Sequence, residues 1–416
     1  MSPRSLDPQT ILTELCESFQ TEPLNVAAKW AASGAMSLTG MPFGLPRQVP
    51  AGVTVRMEQL AQIYERLGGP PIDGPALLGE RAALTGLSRQ GDVSVGGYAN
   101  LLKAKDQPIC INLARPEDLL SLPAWLESSI DSSDWKEIIG ILSNRDSETL
   151  ISQADLLGLP LGVPNSGGHT HPAILKHGGI SVEENENPLV LEMGSLWASP
   201  LCGDLLRRAG CRVIKVESNL RPDGTRSGPQ DFFDLLNGGK ESLSIDFKAS
   251  KGRKLLSQLI NKADVVIEGS RPRALKQMGI DAENEFNKGT VWVSITGYGR
   301  TGPRSGGVAF GDDAAVSGGL FLTKPLGFVA DAVADPAAGL FAATMALAGI
   351  ASGKGLLIDI SLAGVSSWMS GDGIIPQKSD LLTLSVEPPR ARDVDEIAAE
   401  LGFHNKKIKN EFFSLN

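Results

Sequence analysis

From Leu189 onward, short apolar strand patterns alternate with amphipathic helix patterns, and this alternation restricts the fold more than any other feature of the chain. The strand patterns are LVLEM (189–193), RVIKVE (212–217), SLSID (242–246), DVVIEG (264–269), VWVSITGYG (291–299) and LLIDISLA (356–363). Helical periodicity fills Ser199 to Ala209, Lys251 to Asn261 and Ala337 to Ala351. Strand, crossover helix, strand predicts parallel pairing with a right-handed crossover. The expected class is α/β, a doubly wound, Rossmann-like, mostly parallel sheet.

Upstream the pattern differs. Residues 1–90 read as helix and loop, with an apolar-periodic run from Val55 to Leu67 stopped by Gly68-Gly69-Pro70-Pro71. Residues 91–165 read as a smaller α+β segment. In it VSVGGYANLLKA and PICINLA flank the turn Lys105-Asp106-Gln107-Pro108 as a hairpin, and helical stretches follow over Pro116 to Ser129 and Asp134 to Leu157. Residues 166–187, polar and rich in Gly, Pro, Asn and Glu, are the expected linker; 188–370 form the main domain and 371–416 a C-terminal tail and helix.

One internal match stands out. Ser33 to Thr39 and Ser317 to Thr323 share the pattern SGxxxLT, each followed by Pro-x-Gly, at Pro42-Phe43-Gly44 and Pro325-Leu326-Gly327. The second copy runs on through Asp331 and Asp335, whereas the first continues through Val49-Pro50-Ala51-Gly52 without an acid. If the two are a true repeat, only the second is armed for chemistry.

Composition excludes several classes. A net charge of −9 opposes nucleic-acid binding, and the N-terminal residues lack the basic-then-apolar order of a signal peptide. With no run of 18 consecutive apolar residues, the expectation is a cytoplasmic protein with no membrane partner. The four cysteines form no CxxC pair, and His169 and His171 supply too few ligands for a metal site.

The first strand-to-helix turn, Met193 to Gly203, has no GxGxxG, which disfavours a dinucleotide cofactor; its N–H groups can still face an anion, or its glycines can serve helix-sheet packing alone. No GxSxG elbow is present, and His404 is the one histidine after the main strands, so carboxylates are the remaining nucleophiles. Asp335 stands before an apolar helix among small residues. That context suits a helix N-cap as well as a nucleophile approached by a bulky substrate. Asp331, Asp312 and Asp313 compete with it locally.

The segments LEMGSLWASPLCGDLLRRAGCRVIKVES, LLNGGKESLSIDFKASKGRKLL, ADVVIEGSRPRALKQMGI, VWVSITGYGRTGP and VADPAAGLFAATMALAG resemble, in that order, the family III CoA-transferases of the CaiB/BaiF group, which includes the α-methylacyl-CoA racemases. The resemblance implies that Asp335 is the catalytic nucleophile. Its carboxylate attacks an acyl-CoA thioester to give a mixed anhydride, CoA thiolate returns to form an aspartyl-CoA thioester, and an incoming carboxylic acid accepts CoA. Acyl-CoA and a carboxylic acid are then the substrates, with no prosthetic group and no metal. Gly318 and Gly319 are candidates for lining the space around the nucleophile.

For CoA itself the resemblance points to Ser195, Leu196, Ala198, Lys215, Arg221, Asn237, Lys240, Arg271, Arg273 and Lys276. The chain departs from the family in having Ser218 where a basic residue often follows the VIKVE strand, and Gly269-Ser270-Arg271-Pro272-Arg273 in place of Asn-x-Arg-Pro-Gly. The racemase branch places a histidine between the SITGYG-type strand and the SGG segment; here Val308 to Asp313 contains none, which favours transferase. A racemase or isomerase of the same fold and a non-catalytic CoA-binding partner subunit remain the alternatives.

The order of segments is unusual for the family. GGYANLLKAKDQPICINLARPEDLLSLPAWL and LLGLPLGVP resemble the family's small domain yet precede the large one, and the SGAMSLTG region resembles a truncated large-domain copy. This implies a permuted or degenerate tandem chain. PPRARDVDEIAAELGFHNKKI resembles the family's closing helix, and the family's habit implies a homodimer, interlocked in related proteins.

Overall fold

A computed structural model describes residues 7–19, 22–168, 171–181, 185–270, 272–371 and 384–413. The strands in chain order are β1 (Ala99–Lys103), β2 (Pro108–Asn112), β3 (Leu161–Gly162), β4 (Ala173–Ser181), β5 (Leu189–Met193), β6 (Arg212–Ser218), β7 (Glu241–Ile245), β8 (Val265–Glu268), β9 (Val291–Thr296), β10 (Leu322–Thr323), β11 (Leu326–Gly327) and β12 (Lys354–Ser361). Seven of them form the main sheet in the order β4-β12-β9-β8-β5-β6-β7. All neighbours in it are parallel except β4, which runs antiparallel along β12.

The α/β class holds: the six strand patterns read from Leu189 onward all lie in this sheet, and the hairpin read upstream forms β1 and β2 of a separate one. Apolar runs such as VVI in β8 and VWV in β9 are continuous because helices cover both faces. Val190, Val265, Ile267, Val293 and Ile358 face one core, and Leu191, Val266, Trp292 and Leu357 face the other. The period of two along each strand separates the two sets.

The first core is built around the helix Ala334–Ser352, which is apolar on every side and buried along nearly its whole length. Gly339 lets it approach the helix Ala198–Arg208 closely, since a β-carbon there would lie 2.9 Å from the Ala198 carbonyl oxygen. Burying Leu340 and Phe341 completely contributes about 1.5–3 kcal/mol each. The helix ends at Gly353, whose φ of 62° supplies a left-handed cap.

Residues upstream of the main sheet enter the same core. The helices Pro8–Cys16 and Ala51–Arg66 lie against Ala334–Ser352, with Ile11, Leu15, Val53, Met57 and Leu60 buried. Tyr64 donates its hydroxyl to Leu205 O at 2.7 Å, and the Trp368 indole donates to Leu15 O at 3.0 Å. The small sheet β1-β2-β3 has a separate core, in which Trp125, Ile138, Leu142 and Leu150 pack from helices Pro116–Trp125, Trp135–Leu142 and Ser147–Leu157.

Three expectations need correction. The segment 166–187 is not a plain linker, because it carries β4, whose backbone completes one edge of the main sheet. The helix expected over Asp134 to Leu157 is two helices separated at Ser143 to Asp146, where Asn144 and Ser143 bond back to the Gly140 carbonyl. The closing segment is helical only over Asn405–Phe413. Before it, residues 384–404 form an irregular strap, held by side-chain ion pairs and by bonds such as Glu387 N–H to Ala31 O at 2.9 Å.

The two SGxxxLT segments differ locally. Ala35–Leu38 forms a short 3-10 helix, whereas Ser317 ends the helix Gly311–Ser317 and the chain then enters β10. Each nevertheless leads to a long helix, Ala51–Arg66 or Ala334–Ser352, and these two pack on each other. Asp335 is the second residue of its helix and Gly52 the second of the other. A β-carbon on Gly52 would sit 2.3 Å from the Met369 carbonyl oxygen, so the first copy has no room for a side chain there.

Candidate active site

Asp335 lies in the first turn of Ala334–Ser352, but it does not cap that helix. The cap position is Val333, which makes no side-chain capping bond. The Asp335 carboxylate instead accepts the N–H of Gly311, the first residue of the neighbouring helix Gly311–Ser317, at 3.2 Å. Gly311 must be a glycine for this approach, since a β-carbon would lie 2.6 Å from Asp335 Oδ2 and 2.4 Å from Ala332 O.

Two helix starts thus bring four carboxyl groups together. Asp312, Asp313 and Asp331 are buried and Asp335 is half-buried. Asp331 is paired with both sides of the Arg81 fork, Nε to Oδ2 at 2.9 Å and Nη2 to Oδ1. Asp312 accepts the Ala332 N–H at 3.2 Å, and Asp313 accepts the Phe310 N–H at 3.0 Å and the Asn112 amide at 3.1 Å. The loop carrying Asp331 is held in an unfavourable form, with φ of 53° at Ala330 and 45° at Ala332. Left-handed backbone at such residues costs about 1–2 kcal/mol each, so its partners must hold it.

Burial dominates the protonation of this cluster. It pushes Asp335 up to about 7, opposed by the Arg81 charge and the Gly311 N–H and assisted by Asp331. It pushes Asp312 up to about 8, with the Asp331 charge adding to the effect, and Asp313 up to about 7, where the Phe310 N–H opposes it. At neutral pH a large share of Asp335 is therefore the anion, poorly solvated and beside a cation and an N–H donor. A carboxylate in that setting can attack an acyl carbon, and a nearby N–H can stabilise developing oxyanion charge.

Gly318 and Gly319 do not line this space. They follow the opposite end of Gly311–Ser317, roughly 10 Å from Gly311 at the usual helical rise, and Gly318 packs against the Ala363 carbonyl. The donor missed in the sequence is Gly311. The missed cation is Arg81, whose guanidinium also lies 5.2 Å from the Trp197 ring centroid. Trp197 belongs to the turn after β5, so that turn and the carboxyl cluster touch through Arg81.

The residues expected to hold CoA divide into two groups. Ser195 and Leu196 are exposed at the C-terminal end of β5, and the Leu196 N–H donates to Asp223 at 3.1 Å. Ala198 is buried at the start of its helix. Arg221 is exposed, with Glu117 Oε1 3.5 Å away, and Lys276 is exposed beside a cavity of about 400 Å³ also lined by Glu268, Arg300 and Asp359. Arg273 lies in the helix Pro272–Gln277; Arg271 and His169 fall outside the described residues.

Lys215, Asn237 and Lys240 are corrected. All three are buried, and the two ammonium groups are already committed to protein partners. Lys215 Nζ is 2.8 Å from Glu192, 2.9 Å from Asp223 and 3.2 Å from Gly194 O. Lys240 Nζ bonds Glu192, Pro200 O at 2.7 Å and Asn237 at 3.3 Å, and the Asn237 amide donates to Phe233 O at 3.0 Å. These side chains neutralise Glu192 inside the sheet and leave nothing for a phosphate.

A second cavity, of about 700 Å³, opens between the small segment and the main domain, lined by Arg115, Asp155, Leu156, Leu157, Arg221 and Val308 among others. Arg115 lies over the Phe310 ring at 5.7 Å, so this opening borders the residue that precedes Gly311.

Comparison with known proteins agrees with the resemblance seen in the sequence. Residues 186–398 match CoA-transferase family III. Succinyl-CoA--D-citramalate CoA-transferase of Chloroflexus aurantiacus is 31% identical over 207 residues, 45% of this chain and 51% of that protein. Human succinyl-CoA:glutarate CoA-transferase is 32% identical over 200 residues, 44% of this chain and 46% of that protein. A crystal structure of a CaiB/BaiF family protein from Brucella suis aligns at a TM-score of 0.42 and 27% identity, over 51% of this chain and 60% of that one. The chain spans about half the length of the curated relatives it matches. With the match extending over just over half of its residues and Asp335 inside it, the chain belongs to CoA-transferase family III.

Proposed function

We propose that the protein transfers CoA between carboxylic acids, with Asp335 as the covalent nucleophile. The supporting observation is the placement of Asp335: a half-buried carboxylate that titrates near neutrality, facing the Gly311 N–H within the family-matched span. Its oxygen attacks the thioester carbon, the C–S bond breaks, and CoA leaves as the thiolate, giving a mixed anhydride. The thiolate then attacks the aspartyl carbonyl and releases the donor acid. The acceptor carboxylate attacks the resulting aspartyl-CoA thioester, expelling CoA thiolate and giving a second mixed anhydride; the thiolate then attacks the acceptor's carbonyl, forming the new acyl-CoA and releasing the Asp335 carboxylate. Each intermediate is an activated acyl compound, so a difficult exchange becomes several easier ones.

On this reading CoA enters past the turn Ser195 to Ala198, with Arg221, Arg271, Arg273 and Lys276 as the cations available to its phosphates. The names of the relatives make succinyl-CoA the first donor to try and short dicarboxylic acids the first acceptors. The reading also takes the protein to act in the cytoplasm as a homodimer. The test is incubation with a panel of acyl-CoAs, a hydroxylamine quench and mass spectrometry of the Asp335 peptide, beside an Asp335→Ala control. Modification at Asp335 that requires acyl-CoA supports the reading; unmodified protein that still binds CoA overturns it in favour of a binding role.

A further inference from the structure

We infer that Arg81, which precedes the family-matched span, is the positioning residue of the Asp335 site: it clamps Asp331, and the clamped loop aims the Asp335 carboxylate at the Gly311 N–H. The inference rests on the reading of Asp335 as nucleophile.

Residues 330–332 hold the geometry together. The Asp335 N–H donates to Ala332 O at 2.8 Å, so the position of Asp335 follows that of the loop. The left-handed residues on either side of Asp331 are of the kind that persists only when surrounding contacts over-determine the backbone. Three contacts do so. Arg81 binds both Asp331 oxygens, Thr39 Oγ1 accepts the Ala330 N–H at 3.0 Å, and Asp312 accepts the Ala332 N–H at 3.2 Å. Arg81 and Thr39 lie outside residues 186–398. The matched span therefore holds the nucleophile without the cation and hydroxyl that fix its loop.

Arg81 also acts through charge. Of the elements packed around the start of the Asp335 helix, Gly311–Ser317 brings Asp312 and Asp313, the preceding loop brings Asp331, and helix Glu80–Thr85 brings Glu80 and Arg81. Farther along, helix Ala198–Arg208 brings Asp204, paired with Arg207, Arg208 and Arg392; Ala51–Arg66 brings Arg56 and Tyr64; and Pro8–Cys16 brings Glu14, paired with Arg66. Among these, Arg81 is the cation that favours the Asp335 anion, and its effect exceeds the opposing one from Asp331. Loss of the pair raises the Asp335 pKa whether or not Asp331 then takes up a proton.

The experiment compares Arg81→Met, Arg81→Lys and Thr39→Val in the full chain. It measures kcat, KM for succinyl-CoA, the pH dependence of both, and the Asp335 carboxyl titration by carbon-13 NMR assigned against Asp335→Asn. Arg81→Met is expected to lower kcat on the order of 100-fold, as a misplaced reacting group does, with KM nearly constant and the Asp335 titration moved to higher pH. Arg81→Lys keeps the charge without the fork, so it lowers kcat less and leaves the titration in place. Thr39→Val loosens the loop alone and lowers kcat with no shift.

Unchanged kcat in Arg81→Met, or a lowered kcat with no shift in the titration, overturns the inference. If circular dichroism shows that Arg81→Met does not fold, the other two variants decide, and wild-type kcat in both overturns it. The titration is read without turnover, and trapping at Asp335 in the wild type tests the nucleophile separately. Failure of one reading is thus distinguishable from failure of the other.

Discussion

Gly311 and Asp335 come from two different helices, and they meet through a backbone N–H at 3.2 Å from Oδ2, at a spot where a β-carbon would be 2.6 Å from the same oxygen. Gly311→Ala therefore cannot keep both groups where they are. The neighbour on the other side is the Ala332 carbonyl, 2.4 Å from the added carbon, and it is backbone that cannot rotate away. The expected result is a loss of kcat on the order of 100-fold, together with about 1–3 kcal/mol of stability from overpacking. Steady-state kinetics beside urea denaturation checks both; wild-type kcat would show that the Gly311 contact has no part in the reaction.

Asp312 gives a pH prediction. Burial, with help from the Asp331 charge, raises it to about 8, far above the unfolded value near 3.9. The folded state then holds a proton that the unfolded state has lost between about pH 4 and pH 8. Stability from this group is fully present below that window and falls as pH rises through it, by about 1.4 kcal/mol for each unit of separation. Asp312→Asn keeps an oxygen for the Ala332 N–H and removes the titration. Denaturation at pH 5 and pH 8.5 should show the variant gaining on wild type by about 4 kcal/mol between the two. Equal pH dependence in both proteins would mean that Asp312 is ionised in the fold.

The main sheet was readable because most of its parallel strands carry apolar runs, such as VVI in β8 and VWV in β9, as strands covered on both faces do. β4 was not, since HPAILKHGGIS mixes polar residues with a glycine pair, as an edge strand facing solvent can afford to do. Asp335 is marked as a nucleophile by the resemblance alone, since its local pattern points first to a helix cap. Arg81 could not be read from the chain, because it meets Asp331 across 250 positions and nothing local marks it. The lysines assigned to CoA had a signal that pointed elsewhere. Glu192 and Lys215 occupy matching positions on adjacent parallel strands, where opposite charges on one buried face pair with each other.

That pairing can be tested. Lys215→Met leaves Glu192 and Asp223 buried without their shared cation, and breaking a buried network in this way costs about 3–5 kcal/mol. Calorimetry should show a large fall in melting temperature. In the fraction that remains folded, KM for acyl-CoA should stay within about twofold of wild type, since no uniform binding contact has been lost. A selective rise in KM with unchanged stability would return Lys215 to the CoA site.

Arg392 ties the C-terminal strap to the rest of the molecule. Its backbone N–H and Nε both donate to Glu80 Oε1, at 3.0 and 2.7 Å, Nη2 reaches Glu80 Oε2 at 2.9 Å, and Nη1 reaches Asp204 at 2.6 Å. Glu80 and Asp204 are both buried, so Arg392→Met strands Glu80, which has no other ion-pair partner among the described residues, and weakens the set of cations around Asp204. The expected cost at pH 7 is about 3–5 kcal/mol. Asp204 keeps its carboxyl below the usual range because Arg392, Arg208, Lys240 and Arg207 together outweigh its burial. Its share of the stability is therefore present above the unfolded carboxylate pKa and disappears as pH falls through the lower folded value. The gap between wild type and Arg392→Met should accordingly narrow as pH falls below about 4. Urea denaturation of both proteins at pH 7 and pH 3 measures it. A gap of the same size at both would mean that Arg392 stabilises the strap by packing rather than by charge.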